Sequence, residues 1–558
     1  MHIKFGEMES IDIESMSSKG SLERASVTSD GLESNQHTEY DHEVKFENIN
    51  VDVNIARVKT SDTDFTVGVA KGGLMSGVPI TVPTNNAAAT MHAMKKRCDY
   101  APSLQDESVF RTGHELLMSK IDSLDTIRVD KDLITRYLKN CTGNKAERLL
   151  SALAEHQLNG DFGKKHVFAK QEALIKPHKS QPRIVYQGSD MYNALTGPVV
   201  MELNDRMKTM FSPSNPKNTG NRVIYACGAS GEELGDIMES SQGTAIESDM
   251  KNNDGSQSAK FRKYEAMLYR KLGAPDWFVR EFAKNTKVRV WTRYGVAGTV
   301  EGQRWSGETT TTTGNSYVSM VLILAALQKA GIEKSTNIHG GDDYLGYVEG
   351  DVDAVQSSIE GVTSVSGMQA EVVPQRGRHH ATFYRKRYVR TPIGTRPVPQ
   401  FGRVLSKLNV RPNRNSNVND RDYMSGKYLC AAYEHRHVPI IRDLLLSTSE
   451  TLSSNPYLDV RTSKLAEMGG KDGVRRIIDR VAVHPVAEFD DFLSEVYGVS
   501  IESLAEVYET AAQSAIDYCA GWCPIGKDGK ARDKKGNNRY RAPMIGGDTV
   551  QALLIADT

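Results

Sequence analysis

The sequence predicts an α+β fold, and three observations carry that prediction. Thr311 to Ala330 is a long apolar stretch that reads as a buried helix, stopped by Gly331 as a C-terminal cap. Thr244 to Ser248 reads as a short strand, and Asn337 to Val348 as two more, folded into a hairpin around Gly340-Gly341-Asp342-Asp343. Helical patterns fill most of the rest, so the expected arrangement is an antiparallel sheet backed by helices.

Taken in chain order, the first fifty residues carry eleven acidic and four basic side chains with many serines, which predicts a disordered acidic arm over 1–60. Ala87 to Arg97 reads as a helix ending in the basic cluster Lys95-Lys96-Arg97. Helical patterning returns at Glu107 to Leu124 and at Asp132 to Leu158, the latter broken near Thr142-Gly143. Lys164 to Val185 is basic and strand-like around Pro177 and Pro182, and Gly188 to Met210 is helical. Phe261 to Lys284 has helical character, and Val288 to Val300 is strand-like. Val352 to Ile359 forms a helix after the glycine hairpin. Beyond Arg414 the chain is mainly helical, at Ile440 to Ser447, Val474 to Val481 and Ile501 to Cys519, before a polar, basic loop at Gly526 to Arg541.

With 558 residues the chain exceeds one compact core and calls for two to four packed subdomains. Its formal net charge of zero gives no overall signal for a polyanionic partner. The distribution does: Gln375 to Arg414 holds eleven Lys or Arg and no Asp or Glu, a candidate surface for a nucleic-acid backbone. Six cysteines are scattered, and only Cys519 and Cys523 lie close together, which predicts free thiols in a reducing compartment. The N-terminus lacks an apolar signal region, and Val318 to Leu327 falls far short of the roughly 20 residues a membrane span needs. Membrane association would then run through partners or another surface.

The chemistry rests on carboxylates. Adjacent side chains alternate across a strand, so one of Asp342 and Asp343 can ligate a metal while the other points aside or reaches a second ion. Taken alone, Gly341-Asp342-Asp343 is more often an acidic turn. Asp249 ends a strand-like run and is followed by Asp254, so a second strand beside the hairpin tip would complete a site for two Mg²⁺ ions roughly 3.5–4 Å apart. Between them lies Ser306-Gly307, a flexible loop, and a helix that puts Thr311 and Asn315 on one face. Hydroxyl and amide groups there could read a ribose 2′-hydroxyl, although a Thr-rich helix start also serves simply as a cap.

Asp249-x4-Asp254, Ser306-Gly307-x3-Thr311-x3-Asn315 and Gly341-Asp342-Asp343, in this order, resemble motifs A, B and C of viral RNA-dependent RNA polymerases. Phe168 to Glu172, Lys176 and Pro182-Arg183-Ile184 resemble motif F, and Ala381 to Arg385 is similar to motif E. Gly143-x-Lys145, Tyr192-Asn193, Gly197 and Glu202 resemble the tombusvirus and nodavirus side of the positive-strand enzymes. Similarity covers roughly Gly143 to Leu408. The resemblance implies that Asp249, Asp342 and Asp343 bind two Mg²⁺ ions, with Mn²⁺ able to substitute. It implies ribose selection by Asp254 and Asn315 with Thr311 assisting, and triphosphate binding by Lys170, Lys176 and Arg183. Ser306 and Gly307, together with Phe383, Tyr384 and Arg385, would position template and primer. In the motif D turn the sequence offers Glu371, Arg376, Arg378 and His379 in place of the family's lysine, so no general acid is assigned.

The implied fold is a closed right hand: an arm at 1–60, fingers at 61–243 and 258–300, a palm at 244–257 and 301–385, and a mainly helical thumb from 386. The implied partners are template and nascent RNA, ribonucleoside triphosphates and other viral replication proteins, in host-cytoplasmic replication complexes. Two rival readings stay open at this point. A reverse transcriptase shares the palm but predicts no Asn after Ser-Gly, and a non-catalytic RNA-binding scaffold need not keep every ligand.

Overall fold

The computed structural model describes residues 21–27, 33–39, 45–53, 87–101, 103–141, 144–154, 163–170, 183–293, 295–375, 377, 381–411, 418–458, 468–520 and 548–557. At its centre stands a five-stranded sheet in the order Ala370–Gln375, Thr244–Met250, Asp343–Val348, Ser335–Gly340, Asn221–Tyr225. Neighbours run antiparallel except for the last pair, which is parallel. Ser335–Gly340 is buried along its whole length because both faces of the sheet are covered.

On one face lies the helix Thr311–Lys329, in which every residue from Thr313 to Leu327 is buried. A helix apolar on all sides needs neighbours on all sides. Glu107–Ser119 supplies one of them, at close range: a Cβ added at Gly113 would stand 2.0 Å from the Val321 carbonyl oxygen. Phe110 on the same helix stacks on Phe261 at 4.1 Å. On the other face Ile224, Ala245, Ile338 and Leu345 meet Leu234 and Met238 of the helix Gly231–Ser240, and Phe383 and Tyr388. The last two belong to a small sheet of Thr382–Phe383, Lys386–Thr391 and Gly394–Pro399.

A second five-stranded sheet runs in the order Asn50–Val53, Val296–Glu301, Lys287–Trp291, Lys164–Ala169, Ile184–Gln187. Its strands alternate between buried and more exposed positions, as a half-covered sheet requires. The inner face packs on Ala93, Met94 and Cys98 of the helix Ala87–Cys98, with Trp305 fully buried among them. Beyond Pro399 the described chain is helical around a third core that includes Phe401, Tyr428, Phe489 and Tyr508.

Several expectations are revised. Within the 1–60 arm, expected to be disordered, Ser21–Val27 and Glu33–Glu39 pair as an antiparallel hairpin, and Asn50–Val53 joins the second sheet. Residues 47–49 are held there because their backbone N–H groups donate to the Asp99 carboxylate at 2.9, 2.6 and 3.2 Å. Asn221–Tyr225 belongs to the central sheet, so a boundary at 243 cuts through that sheet, and one at 385 cuts through the small sheet. The 258–300 segment divides: its helices Ala259–Lys271 and Asp276–Lys284 join the core around Thr311–Lys329, while its strands join the second sheet. The helix from Glu107 ends at Ser119 instead of Leu124.

The basic run is also revised. Lys386 pairs with Glu434, Arg396 with Asp236 and Arg411 with Asp420. Arg387 is buried and donates to the Ala556 carbonyl at 2.5 Å, to Asp557 at 3.3 Å and to the Tyr497 hydroxyl at 3.1 Å. Asp557 in turn accepts from the Gly402 N–H at 2.9 Å, which locks the helix Asp548–Asp557 onto Phe401–Leu408. Most of the run's cations among the described residues are therefore paired within the chain. Asp557→Ala would leave the buried Arg387 charge without its carboxylate, a loss of about 3–5 kcal/mol for a broken buried pair. The expected result is a clearly lower thermal unfolding midpoint; an unchanged midpoint would show that the C-terminal helix does not depend on this pair.

Candidate active site

The register of the central sheet gathers the acidic residues. Tyr344 stands opposite Ser248, and one step further along the same ladder Asp343 comes level with Asp249. Opposite residues of an antiparallel pair share a face, with Cβ atoms about 4.5–5.5 Å apart. Glu371 faces Asp249 from the other neighbouring strand. Asp342 sits in the hairpin turn between Gly340 and Asp343, which pair with each other.

The two glycines of that turn have different tasks. Gly341 adopts φ +69°, in the left-handed region, and its N–H donates to Ser316 Oγ at 2.8 Å. Gly340 makes room: a Cβ there would lie 2.0 Å from the Tyr384 hydroxyl. Tyr384 and Arg385 form the two-residue turn between Phe383 and Lys386, at φ 53° and 58°. Left-handed backbone costs a non-glycine residue of order 1–2 kcal/mol, and packing offsets it here. The Tyr384 ring leans on buried Phe383, with centroids 4.3 Å apart and planes tilted by 40°. Phe383 thus supports the turn from within the core, while Tyr384 and Arg385 both lie within the electrostatic field of Asp343.

Asp249, Asp342 and Asp343 are exposed, and the protein around Asp342 and Asp343 also desolvates their carboxyls in part, as in a recess open to solvent. Burial and the adjacent Asp342 push the Asp343 carboxyl up to about 7, against the pull of Arg385. Burial, Asp254 and Asp249 raise Asp342, against Arg183. Arg403, on Phe401–Leu408, lies within the field of Asp343 and Asp249; the sequence marked it only as one cation of the Gln375 to Arg414 run. All three aspartates offer hard oxygen ligands, and their crowded negative charge suits a divalent cation. Among the described residues, no group of three or more acidic, His or Cys side chains forms a ready-made cage.

Around this recess stand the other predicted residues. The strands Lys164–Ala169 and Ile184–Gln187 end together, with the Lys170 N–H donating to the Arg183 carbonyl at 2.8 Å. Lys176 falls outside the described residues, as do Arg376, Arg378, His379 and Gly143. Asp254 accepts from Ser306 Oγ and, at 2.8 Å, from Asn315 Nδ2. Gly307, at φ +98°, packs so closely that a Cβ would lie 2.7 Å from the Tyr186 carbonyl oxygen. The Tyr186 N–H donates to the Ser306 carbonyl at 2.6 Å, docking the loop on the strand beside Arg183. Thr311 differs from expectation. Its hydroxyl donates to the Trp305 and Glu308 carbonyls at 3.1 and 2.9 Å and accepts from the Gly307 N–H at 3.0 Å, so it braces the loop.

The strongest brace is Glu308, fully buried. It accepts from Arg262 at 3.0 Å and from the Tyr192 hydroxyl at 2.5 Å, and Lys165 Nζ stands 3.7 Å away over the Tyr192 ring. Burial opposes its ionisation, but Arg262 and Lys165 hold its carboxyl down at about 2. A lone carboxylate in a run of hydroxyl residues was the signal that sequence reading passed over. Because the folded value lies below the ordinary 4.5, its stabilisation is present above pH 4.5 and is lost as pH falls toward 2. Glu308→Gln should therefore lower the unfolding midpoint at neutral pH, with the gap to wild type closing between pH 4.5 and 2. A gap independent of pH would contradict an ionised Glu308.

A family model described as RNA dependent RNA polymerase matches residues 40–456 of the chain. Among curated proteins, no sequence matches it significantly.

Proposed function

The chain belongs to the RNA-dependent RNA polymerase family and is an RNA-directed RNA polymerase, and from this premise we propose that Asp249, Asp342 and Asp343 form its catalytic centre. The observation that carries the proposal is the register that levels Asp249 with Asp343 beside the Gly341-Asp342 turn. An enzyme of this family binds RNA and nucleoside triphosphates and uses divalent metal ions. Mg²⁺ ions, or Mn²⁺ in their place, would favour ionisation of the attacking 3′-hydroxyl and neutralise the triphosphate and leaving pyrophosphate.

The chain's own residues do the positioning. Asp249 and Asp342 would hold the ions, with Asp343 as the auxiliary ligand. Arg183 and Lys170 neutralise the incoming triphosphate from the end of the second sheet; Arg183 keeps its charge at any working pH and offers several donors to phosphate oxygens. Lys176 is assigned with them from its place in the motif. Asp254 and Asn315 recognise the ribose 2′-hydroxyl, with Thr311 acting through the Ser306-Gly307 loop. That loop supports the template and nascent pair. Arg385 and Arg403 approach the primer end, where backbone phosphates would meet them. Asp249, Asp254, Asp342 and Asp343 interact electrostatically in one place, an arrangement that a non-catalytic scaffold does not need.

On this reading the central sheet is the palm, the second sheet belongs to the fingers, and the helices after Pro399 form the thumb of a closed right hand. The enzyme copies a viral RNA genome, in host-cytoplasmic replication complexes with other viral proteins. No helix among the described residues is long and apolar enough to cross a membrane. The tombusvirus and nodavirus enzymes remain the proposed nearest type.

RNA synthesis by the purified chain on a short primer-free template, at varied Mg²⁺ and Mn²⁺, tests the assignment. Product is expected from wild type and none from Asp249→Ala or Asp342→Asn, both of which should keep the wild-type unfolding midpoint or exceed it. Synthesis at the wild-type rate by either variant would remove that residue from the metal site.

A further inference from the structure

Behind the Asp254–Asn315 pair runs a buried chain of polar side chains that the motif does not include. Asn315 Oδ1 accepts from Gln257 Nε2 at 2.9 Å. Gln257 Oε1 accepts from Arg304 Nε at 3.0 Å. The remaining arms of Arg304 grip Glu265 at 3.0 and 2.6 Å, and Glu265 accepts from the Tyr269 hydroxyl at 2.5 Å. Gln257, Arg304 and Glu265 are each no more than 3% exposed. The backbone N–H of Arg304 also donates to the Asp254 carbonyl at 2.9 Å.

The direction of this chain is forced from both ends. A guanidinium has donors and no acceptor, so Arg304 must meet the oxygen of Gln257. The amide nitrogen of Gln257 is then turned toward Asn315 and must meet its oxygen. That leaves the Asn315 nitrogen facing Asp254, whose carboxylate accepts from it and from Ser306. Amide oxygen and nitrogen differ little in shape, so an Asn on its own is free to present either. Here a charge buried two residues away chooses. Gly314 keeps the space clear, since a Cβ there would stand 2.2 Å from the Arg304 guanidinium.

We propose that Gln257 and Arg304 are positioning residues for sugar selection, setting the amide of Asn315 so that it donates to Asp254 and orients that carboxylate toward the 2′-hydroxyl. The proposal rests on the ribose-reading role given above to Asp254 and Asn315. Gln257→Glu keeps the shape but replaces the donor facing Asn315 with a carboxylate oxygen. The Asn315 amide would then turn over, place its oxygen against Asp254 and lose that hydrogen bond. Gln257→Met removes the donor without adding charge and leaves the amide unconstrained.

The test is the efficiency of ribonucleotide over deoxyribonucleotide incorporation on a fixed primed RNA template. A ratio within one preparation is independent of the fraction of active enzyme, so partial misfolding does not imitate the effect. Gln257→Glu should lower the ratio by about 10- to 100-fold, the range of one hydrogen bond to a charged group. Gln257→Met should fall between it and wild type. Asn315→Ala is the control for the underlying reading. If it leaves the ratio unchanged, ribose reading by Asn315 is wrong. If it lowers the ratio while both Gln257 variants keep the wild-type value, the relay is wrong and the ribose reading stands. Loss of all synthesis in both Gln257 variants also overturns the proposal, because it assigns Gln257 to sugar choice and not to chain extension.

Discussion

The buried carboxylate of Glu308 is the interaction on which the site's architecture depends. Its partners come from five separate places: Lys165 on the second sheet, Tyr192 on Asp190–Met210, Arg262 on Ala259–Lys271, Asn285 at the end of Asp276–Lys284 and Thr310 at the start of the central helix. A surface ion pair contributes little, but a fully enclosed one cannot lose a member without leaving a naked charge in a poor dielectric. The Ser306-Gly307 loop, tied at Glu308 and again through Thr311, therefore has one position relative to the sheet that carries Arg183. Flexibility was the natural reading of Ser-Gly; the burial of the next residue removes it.

Among the described residues, several buried or half-buried cations away from the recess each have a carboxylate of their own. Arg387 has Asp557, Arg304 has Glu265, and Arg411 has Asp420. The acidic residues Asp249, Asp342 and Asp343 are instead placed near one another, with cations held at the rim in Arg183, Arg385 and Arg403. Such an arrangement is costly for the protein alone and becomes favourable with divalent ions and a polyanionic substrate present. The long basic run of the sequence divides accordingly: most of its described members neutralise the chain's own carboxylates, and Arg385 and Arg403 face the recess.

Two of the four described non-glycine residues with positive φ stand in the same place. Two turns meet there, one with Gly341 and one with Tyr384 and Arg385 in left-handed backbone. Gly340 is needed because the neighbouring hairpin inserts a tyrosine hydroxyl where a side chain would be. The pair of glycines before the two aspartates thus serves two hairpins, and the small sheet beyond Ala381 becomes part of the centre's support.

Much of this was legible in the chain. The apolar helix from Thr311, the Gly340-Gly341 hairpin and the strand ending at Asp249 announce themselves by local pattern, because burial on all sides, a left-handed turn and an alternating strand each restrict residue type. Asp249, Asp254, Asn315, Asp342 and Asp343 were named through the resemblance of their order and spacing to a family's motifs, and the fold brings them near one another. Other features were decided only in three dimensions. Asn221–Tyr225 became an edge strand of the central sheet by pairing with Ser335–Gly340, more than a hundred residues away. Thr311 proved to be a brace, Phe383 a core residue, and Glu308, Gln257 and Arg304 the internal supports. Which partner a buried polar group finds depends on contacts between distant segments, and local sequence carries no record of them.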